Sequence, residues 1–162
     1  MKLNSFICYN WFGIIANHCL DFTDEYYHSI GVTKLHNKHL IPENVRKGDI
    51  VFVKTDFIYN GHFQLDVLPR IKEPFVLITG GSSYQVSNGF SIDKIVSNSK
   101  VVKWFCTNAP DLLDADKVIH MPIGFEERER VGGNQKLIER FFNNRTFFSE
   151  KKNKILLPYH TF

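Results

Sequence analysis

Phe75-Val76-Leu77-Ile78-Thr79-Gly80-Gly81-Ser82-Ser83 is the stretch on which the fold turns. Four apolar residues, mostly branched or aromatic, follow one another without alternation. A strand with one solvated face would alternate, whereas a continuous run suits a strand buried on both faces, as in a parallel sheet covered by helices. The paired glycines then permit positive φ and close approach of the backbone to a ligand. The same run-then-turn pattern recurs at Ile50-Val51-Phe52-Val53, Val101 to Phe105, Val118 to Met121 and Ile155-Leu156-Leu157. Lys103 and His120 interrupt two of these runs and place them nearer an edge.

Between the runs lie helix signals. Thr23 can cap a helix with Asp24 and Glu25 in its first turn and Gly31 as its stop. Ser91 can cap a short helix that buries Ile92, Ile95 and Val96, and Pro110 suits a first helical position with Asp111 behind it. Asn134 can cap a helix whose apolar stripe is Leu137, Ile138, Phe141 and Phe142. Pro69 spoils the helical spacing of Phe63, Val67 and Ile71, which predicts a short or irregular crossover. Strand alternating with helix predicts an α/β fold, a doubly wound, mostly parallel, Rossmann-like sheet forming a single domain over residues 1–162.

Composition agrees with one globular core. The chain has 162 residues, 43% hydrophobic and 23% charged, which excludes disorder as the expected state. A net charge of +3 is too small to argue for nucleic acid. The basic stretch Lys34, His36, Lys38, His39, Arg46 and Lys47 reads as a solvated surface. Three cysteines, Cys8, Cys19 and Cys106, without CxxC spacing read as free buried thiols. No run is long enough to span a bilayer, and Asn10, Asn17 and His18 break the N-terminal apolar stretch. A cytoplasmic protein with no membrane partner is expected.

Ligands of open parallel sheets bind beyond the carboxyl ends of the strands. Just past the runs stand Thr55-Asp56, Thr79 to Ser83, Thr107-Asn108, Pro122-Ile123-Gly124 and His160-Thr161. Turns favour such residues on their own account, but five such exits together point to a binding edge. Asp56, directly after a buried run, is a candidate general base, and it is equally suited to cap the next segment. The Gly80-Gly81 turn lacks the lysine of a P-loop and the spacing of a dinucleotide fingerprint. Gly80-Gly81-Ser82-Ser83 comes close to a nucleophile elbow, which makes a serine hydrolase using Ser82 one alternative. Tyr84 stands where the final glycine belongs, and Asp114 or Asp116 with His120 or His160 would have to complete the triad. His36 and His39 have helical ligand spacing but no accompanying Cys or carboxylate pattern, so a surface turn and no metal site are expected. Trp104 and Phe105, inside an apolar run, read as core.

Three segments in order resemble a family. Phe75 to Ser83, Trp104-Phe105-Cys106-Thr107-Asn108 and Met121-Pro122-Ile123-Gly124-Phe125 are similar to the N-terminal half of exostosin-like glycosyltransferases, including viral and bacterial relatives. The match spans roughly residues 47–160, and the order and spacing of the segments carry it. The pattern departs at Gly80, where the family often has His, and at Ser83, where it often has Asp. The resemblance implies the acceptor-side half of a two-domain enzyme that moves a sugar from a nucleotide-sugar to a saccharide acceptor. Gly80, Gly81, Ser82, Ser83, Thr107, Asn108 and Gly124 would line the acceptor cleft, with Asp56 as base. No cofactor is expected in this half, because the nucleotide-sugar would sit mainly in a second domain or separate chain, and the half alone would turn over little. A non-catalytic α/β binding or protein-interaction module, with Phe141 and Phe142 at an interface, is the competing expectation.

Overall fold

The computed structural model describes residues 10–109, 116–122 and 134–144. Five strands are present among them: β1 (His18–Leu20), β2 (Ile50–Lys54), β3 (Phe75–Gly80), β4 (Val101–Cys106) and β5 (Val118–His120). The last four are the apolar runs of the sequence. They form one sheet in the order β1-β2-β3-β4-β5, with every neighbouring pair parallel. The expected α/β, Rossmann-like fold is therefore present. Strand order follows chain order without reversal, so the carboxyl ends stand in one row along one edge of the sheet.

The runs are continuous because both faces are covered. Val51 and Val53 of β2, Leu77 of β3, Trp104 and Cys106 of β4 and Val118 of β5 point into a core with Ile58, Phe63, Leu68, Ile71 and Ile95. Phe52, Ile78 and Cys19 point the other way, against Phe12, Ala16, Tyr27 and Val32. Alternate residues of one strand thus fill two cores. In β4, Val102 is the extra residue of a bulge against β3, and it and Lys103 are exposed.

The helices are short. α1 (Asn10–Ile15) lies on the second face with α2 (Asp24–Ser29), and Thr23 caps α2 by accepting the Tyr26 N–H at 3.4 Å. Gly31 follows at φ 70°, a stop that suits glycine. The crossover from β2 to β3 is irregular, as Pro69 predicts: α3 (Thr55–Tyr59), a π turn at Phe63–Val67 and a 3₁₀ turn at Leu68–Arg70. Asn134 caps the helix Gln135–Asn143 by accepting the Leu137 N–H at 3.2 Å. Numbered in chain order, α4 is Asp93–Val96 and α5 is Gln135–Asn143. Among the described residues no helix is long and apolar enough to cross a membrane.

Two expectations fail. Ser91 does not cap α4; it sits at φ 54°, Ile92 occupies the cap position, and no side chain bonds there. The turn at Ser91 follows Phe90, whose N–H is held by the Tyr59 carbonyl at 3.2 Å, so tertiary pairing displaces the helix start. The basic stretch is not wholly a solvated surface either. Lys34 donates to the Phe22 carbonyl at 2.9 Å, Lys38 donates to the Ile14 and Ala16 carbonyls, and the His36 side chain is 3% exposed. These amines satisfy backbone acceptors left over where α1 and β1 end. Pro110, Asp111, Cys8, the Ile155 run and the Phe142 side chain lie outside the described residues.

Cys19 and Cys106 are free and buried, and burial pushes each thiol up to about 12. Since the thiolate is the reactive species, iodoacetamide at pH 8 is expected to leave both unmodified in the folded protein and to modify both in denaturant. Peptide mass spectrometry reads the outcome. Modification of either under native conditions would mean that its strand opens readily.

Candidate functional site

The carboxyl ends of β2, β3 and β4 lie side by side, with Lys54 opposite Gly80 and Thr79 opposite Cys106. Hydrogen bonds beyond the strands stitch their exits together. The Thr107 N–H donates to the Thr79 carbonyl at 3.2 Å, and Asn108 Nδ2 donates to the Ser82 carbonyl at 3.1 Å. The Asn108 carbonyl accepts the Val86 N–H at 2.9 Å. Asn108 adopts φ 54°, a left-handed conformation that asparagine tolerates better than most residues. Gly81 sits at φ 76°, which explains the glycine there. Ser82 and Asn108, expected to share a site, are in direct contact.

These residues divide into a lining and a support. Gly81, Ser82 and Asn108 are half-buried and Ser83 is exposed. Thr107 and Gly80 are buried, and a Cβ on Gly80 would lie 3.4 Å from Thr107 Oγ1 and 3.6 Å from the Phe12 ring. These are ordinary van der Waals distances, so packing does not demand a glycine at position 80, and the residue opens no cradle. Gly124 lies outside the described residues. The Ser82 hydroxyl accepts the Tyr84 N–H at 3.3 Å, and the left-handed residues of this edge are Gly81 and Asn108, not Ser82. A strained nucleophile elbow would place the serine itself in that conformation.

Asp56 is not the cap of α3. The cap position is Lys54, without a side-chain bond, and Asp56 lies in the first turn. Its carboxylate turns instead to the Lys54 ammonium, with Nζ at 3.8 Å from Oδ2. Asp56 Oδ2 is buried and has no hydrogen-bond partner. Lys54, 6% exposed, also donates to the Gly81 carbonyl at 2.5 Å and lies over the Phe22 ring at 5.2 Å. One buried ammonium thus binds the β2 exit to the β3 exit. Lys54 was missed because it ends an apolar run and reads as the first exposed residue after it. Its signal is that it precedes Thr55-Asp56 without any glycine or proline between.

The exit of β1 was missed as well. Asp21 follows Leu20, and its carboxylate accepts the Tyr27 hydroxyl at 2.8 and 2.9 Å, the Phe22 N–H at 2.7 Å and His36 Nε2 at 3.2 Å. The Asp21 and His36 side chains are 2% and 3% exposed. The His36 ring fills the space above Gly13, where a Cβ would fall 2.1 Å from Cδ2. His36 is accordingly a packed structural residue, while His39 is exposed. Among the described residues no group of three or more His, Cys, Asp or Glu is placed to hold a metal ion. Trp104 is core, as expected, fully buried with Nε1 donating to Thr79 Oγ1 at 2.9 Å.

The arrangement offers a carboxylate, two serines, an asparagine and a glycine turn around a buried ammonium. Such a set suits recognition of a hydroxyl-rich neutral ligand, with one group able to accept a proton. Comparison of the chain with family models, with curated proteins and with solved structures gave no match.

Proposed function

We propose that this domain binds a saccharide acceptor at the strand-end edge and is the acceptor-side half of a sugar-transferring enzyme. A second domain or chain would hold the nucleotide-sugar. The observation that supports this most is the junction of the β2 and β3 exits, where the partly exposed Asp56 carboxylate, paired with Lys54, stands beside the turn of Gly81 and Ser82. In the transfer, the acceptor hydroxyl gives its proton to Asp56 as its oxygen bonds to the anomeric carbon. The bond from that carbon to the diphosphate breaks, and the diphosphate leaves with the electron pair. The Ser82, Ser83 and Asn108 groups orient the acceptor, which converts an encounter into a held geometry.

Titration of the protein with neutral oligosaccharides by calorimetry tests the proposal. Asn108→Gly retains the left-handed backbone and removes the amide that ties the Ser82 turn. It is expected to weaken binding about tenfold while lowering stability by about 1 kcal/mol. Asp56→Asn is expected to leave binding within about threefold but to abolish transfer once a donor-binding partner is supplied. Saccharide binding indifferent to Asn108→Gly would remove the edge from the account.

A second reading, a protein-interaction module, is favoured by one feature. Phe141 on α5 is 77% exposed, and Leu137 one turn before it is also exposed. If that face is an interface, Phe141→Asp abolishes a concentration-dependent association seen by sedimentation and leaves saccharide binding intact.

A further inference from the structure

We infer that Tyr59 and Tyr84 form a stacking platform for a sugar ring at the rim of the strand-end edge, an inference that rests on the saccharide reading above. The two rings stack at 4.2 Å between centroids and 8° between planes, although one comes from α3 and the other from the turn after β3. Stacking covers one face of each ring and turns the uncovered faces to opposite sides, so a sugar ring lies on one tyrosine while the other backs it; the residues remain 41% and 44% exposed. Contiguous exposed apolar surface, unlike scattered single residues, marks an interaction site. The apolar surface continues: the Phe90 N–H bonds the Tyr59 carbonyl, and the exposed side chains of Phe90 and Leu65 both lie against Gly61.

Both tyrosines sit beside the polar groups already described. Tyr59 follows Asp56 by three residues on α3, which places the two on one side of the helix. The Tyr84 N–H bonds Ser82 Oγ, so its backbone is part of the same turn. A flat apolar surface next to a carboxylate, two hydroxyls and an amide matches a pyranose, which has an apolar C–H face and a rim of hydroxyls. A nucleotide would match it less well. Its phosphate needs a cation, and the ammonium seen at this edge among the described residues, Lys54, is buried, bonded to Gly81 and paired with Asp56. Each ring also carries a phenolic hydroxyl able to bond a sugar hydroxyl.

The probes are cello-, xylo-, malto- and chito-oligosaccharides of two to six units, with oligo(dT) as the comparison, titrated by calorimetry against the whole chain. At least one saccharide series is expected to bind more tightly with each added unit. Tyr59→Ala and Tyr84→Ala are each expected to weaken that binding about tenfold, the worth of one aromatic contact of roughly 1.4 kcal/mol. Tyr59→Phe and Tyr84→Phe keep the ring and are expected to stay within about threefold, with unfolding midpoints confirming that all four variants fold. The platform is overturned if no saccharide binds, if oligo(dT) binds more tightly than every saccharide, or if the alanine variants bind as the parent does. Loss in Asn108→Gly with unchanged binding in the tyrosine variants would retain the edge and discard the platform. The reverse pattern would retain the platform and discard the edge.

Discussion

Asp21→Ala is expected to lower the free energy of unfolding by about 3–5 kcal/mol, the cost of leaving the partners of a buried charge unsatisfied. The aspartate gathers the Tyr27 hydroxyl, the Phe22 N–H and His36 Nε2 around one carboxylate that water scarcely reaches. Alanine removes the acceptor that these donors share. The three groups come from α2, the end of β1 and the 34–39 stretch, so the pieces that cover the second face lose their common anchor. Tyr27→Phe deletes one donor and leaves the carboxylate in place, and is expected to cost only about 1–2 kcal/mol. Urea unfolding measures both, with an unchanged slope showing that the denatured state is the same. A loss below 1 kcal/mol in Asp21→Ala would mean that the cluster is wetter than its 2% exposure states.

Trp104→Ala is expected to cost about 3–5 kcal/mol, comparable with the whole stability of many domains. The ring is fully buried in the first core, among side chains that cannot close the space it leaves. Its indole N–H is also the donor to Thr79 Oγ1, and Thr79 is itself fully buried in β3 directly before Gly80. The substitution therefore empties a cavity and strips a hydroxyl beneath the candidate site. Trp104→Phe keeps most of the volume, so its expected loss of about 1–2 kcal/mol isolates the hydrogen bond and the smaller cavity. Were Trp104 a sugar-stacking residue, alanine there would abolish binding with little change in the unfolding midpoint.

The sheet was legible in the sequence wherever a strand is buried on both faces. β2 and β3 announce themselves because every residue of Val51 to Val53 or Leu77 to Thr79 is buried on one side of the sheet or the other. β1 was not legible. His18-Cys19-Leu20 is three residues long, carries an ionisable ring, and is a strand only because β2 pairs with it. With β1 went its exit, Asp21, and the fate of His36, which reads as surface because its neighbours are lysines. Those lysines spend their charge on backbone carbonyls that no sequence pattern reveals. The candidate edge was legible as residue types after apolar runs, and Ser82 and Asn108 do meet. The division of labour within it was hidden, since Thr107 and Gly80 are buried and Lys54 supplies the bond between exits. Tyr84 entered the sequence reading only as a misfit in an elbow; its stacking on Tyr59 joins segments twenty-five residues apart and is a tertiary fact.

An amide-resolved NMR titration with a neutral oligosaccharide asks directly whether the ends of these strands receive a sugar. Shifts confined to the amides of Lys54 to Tyr59, Gly80 to Tyr84 and Thr107 to Asn108 are the predicted result. Shifts clustered at the opposite edge, around Asp49 and Lys100, or none at saturating sugar, would contradict it.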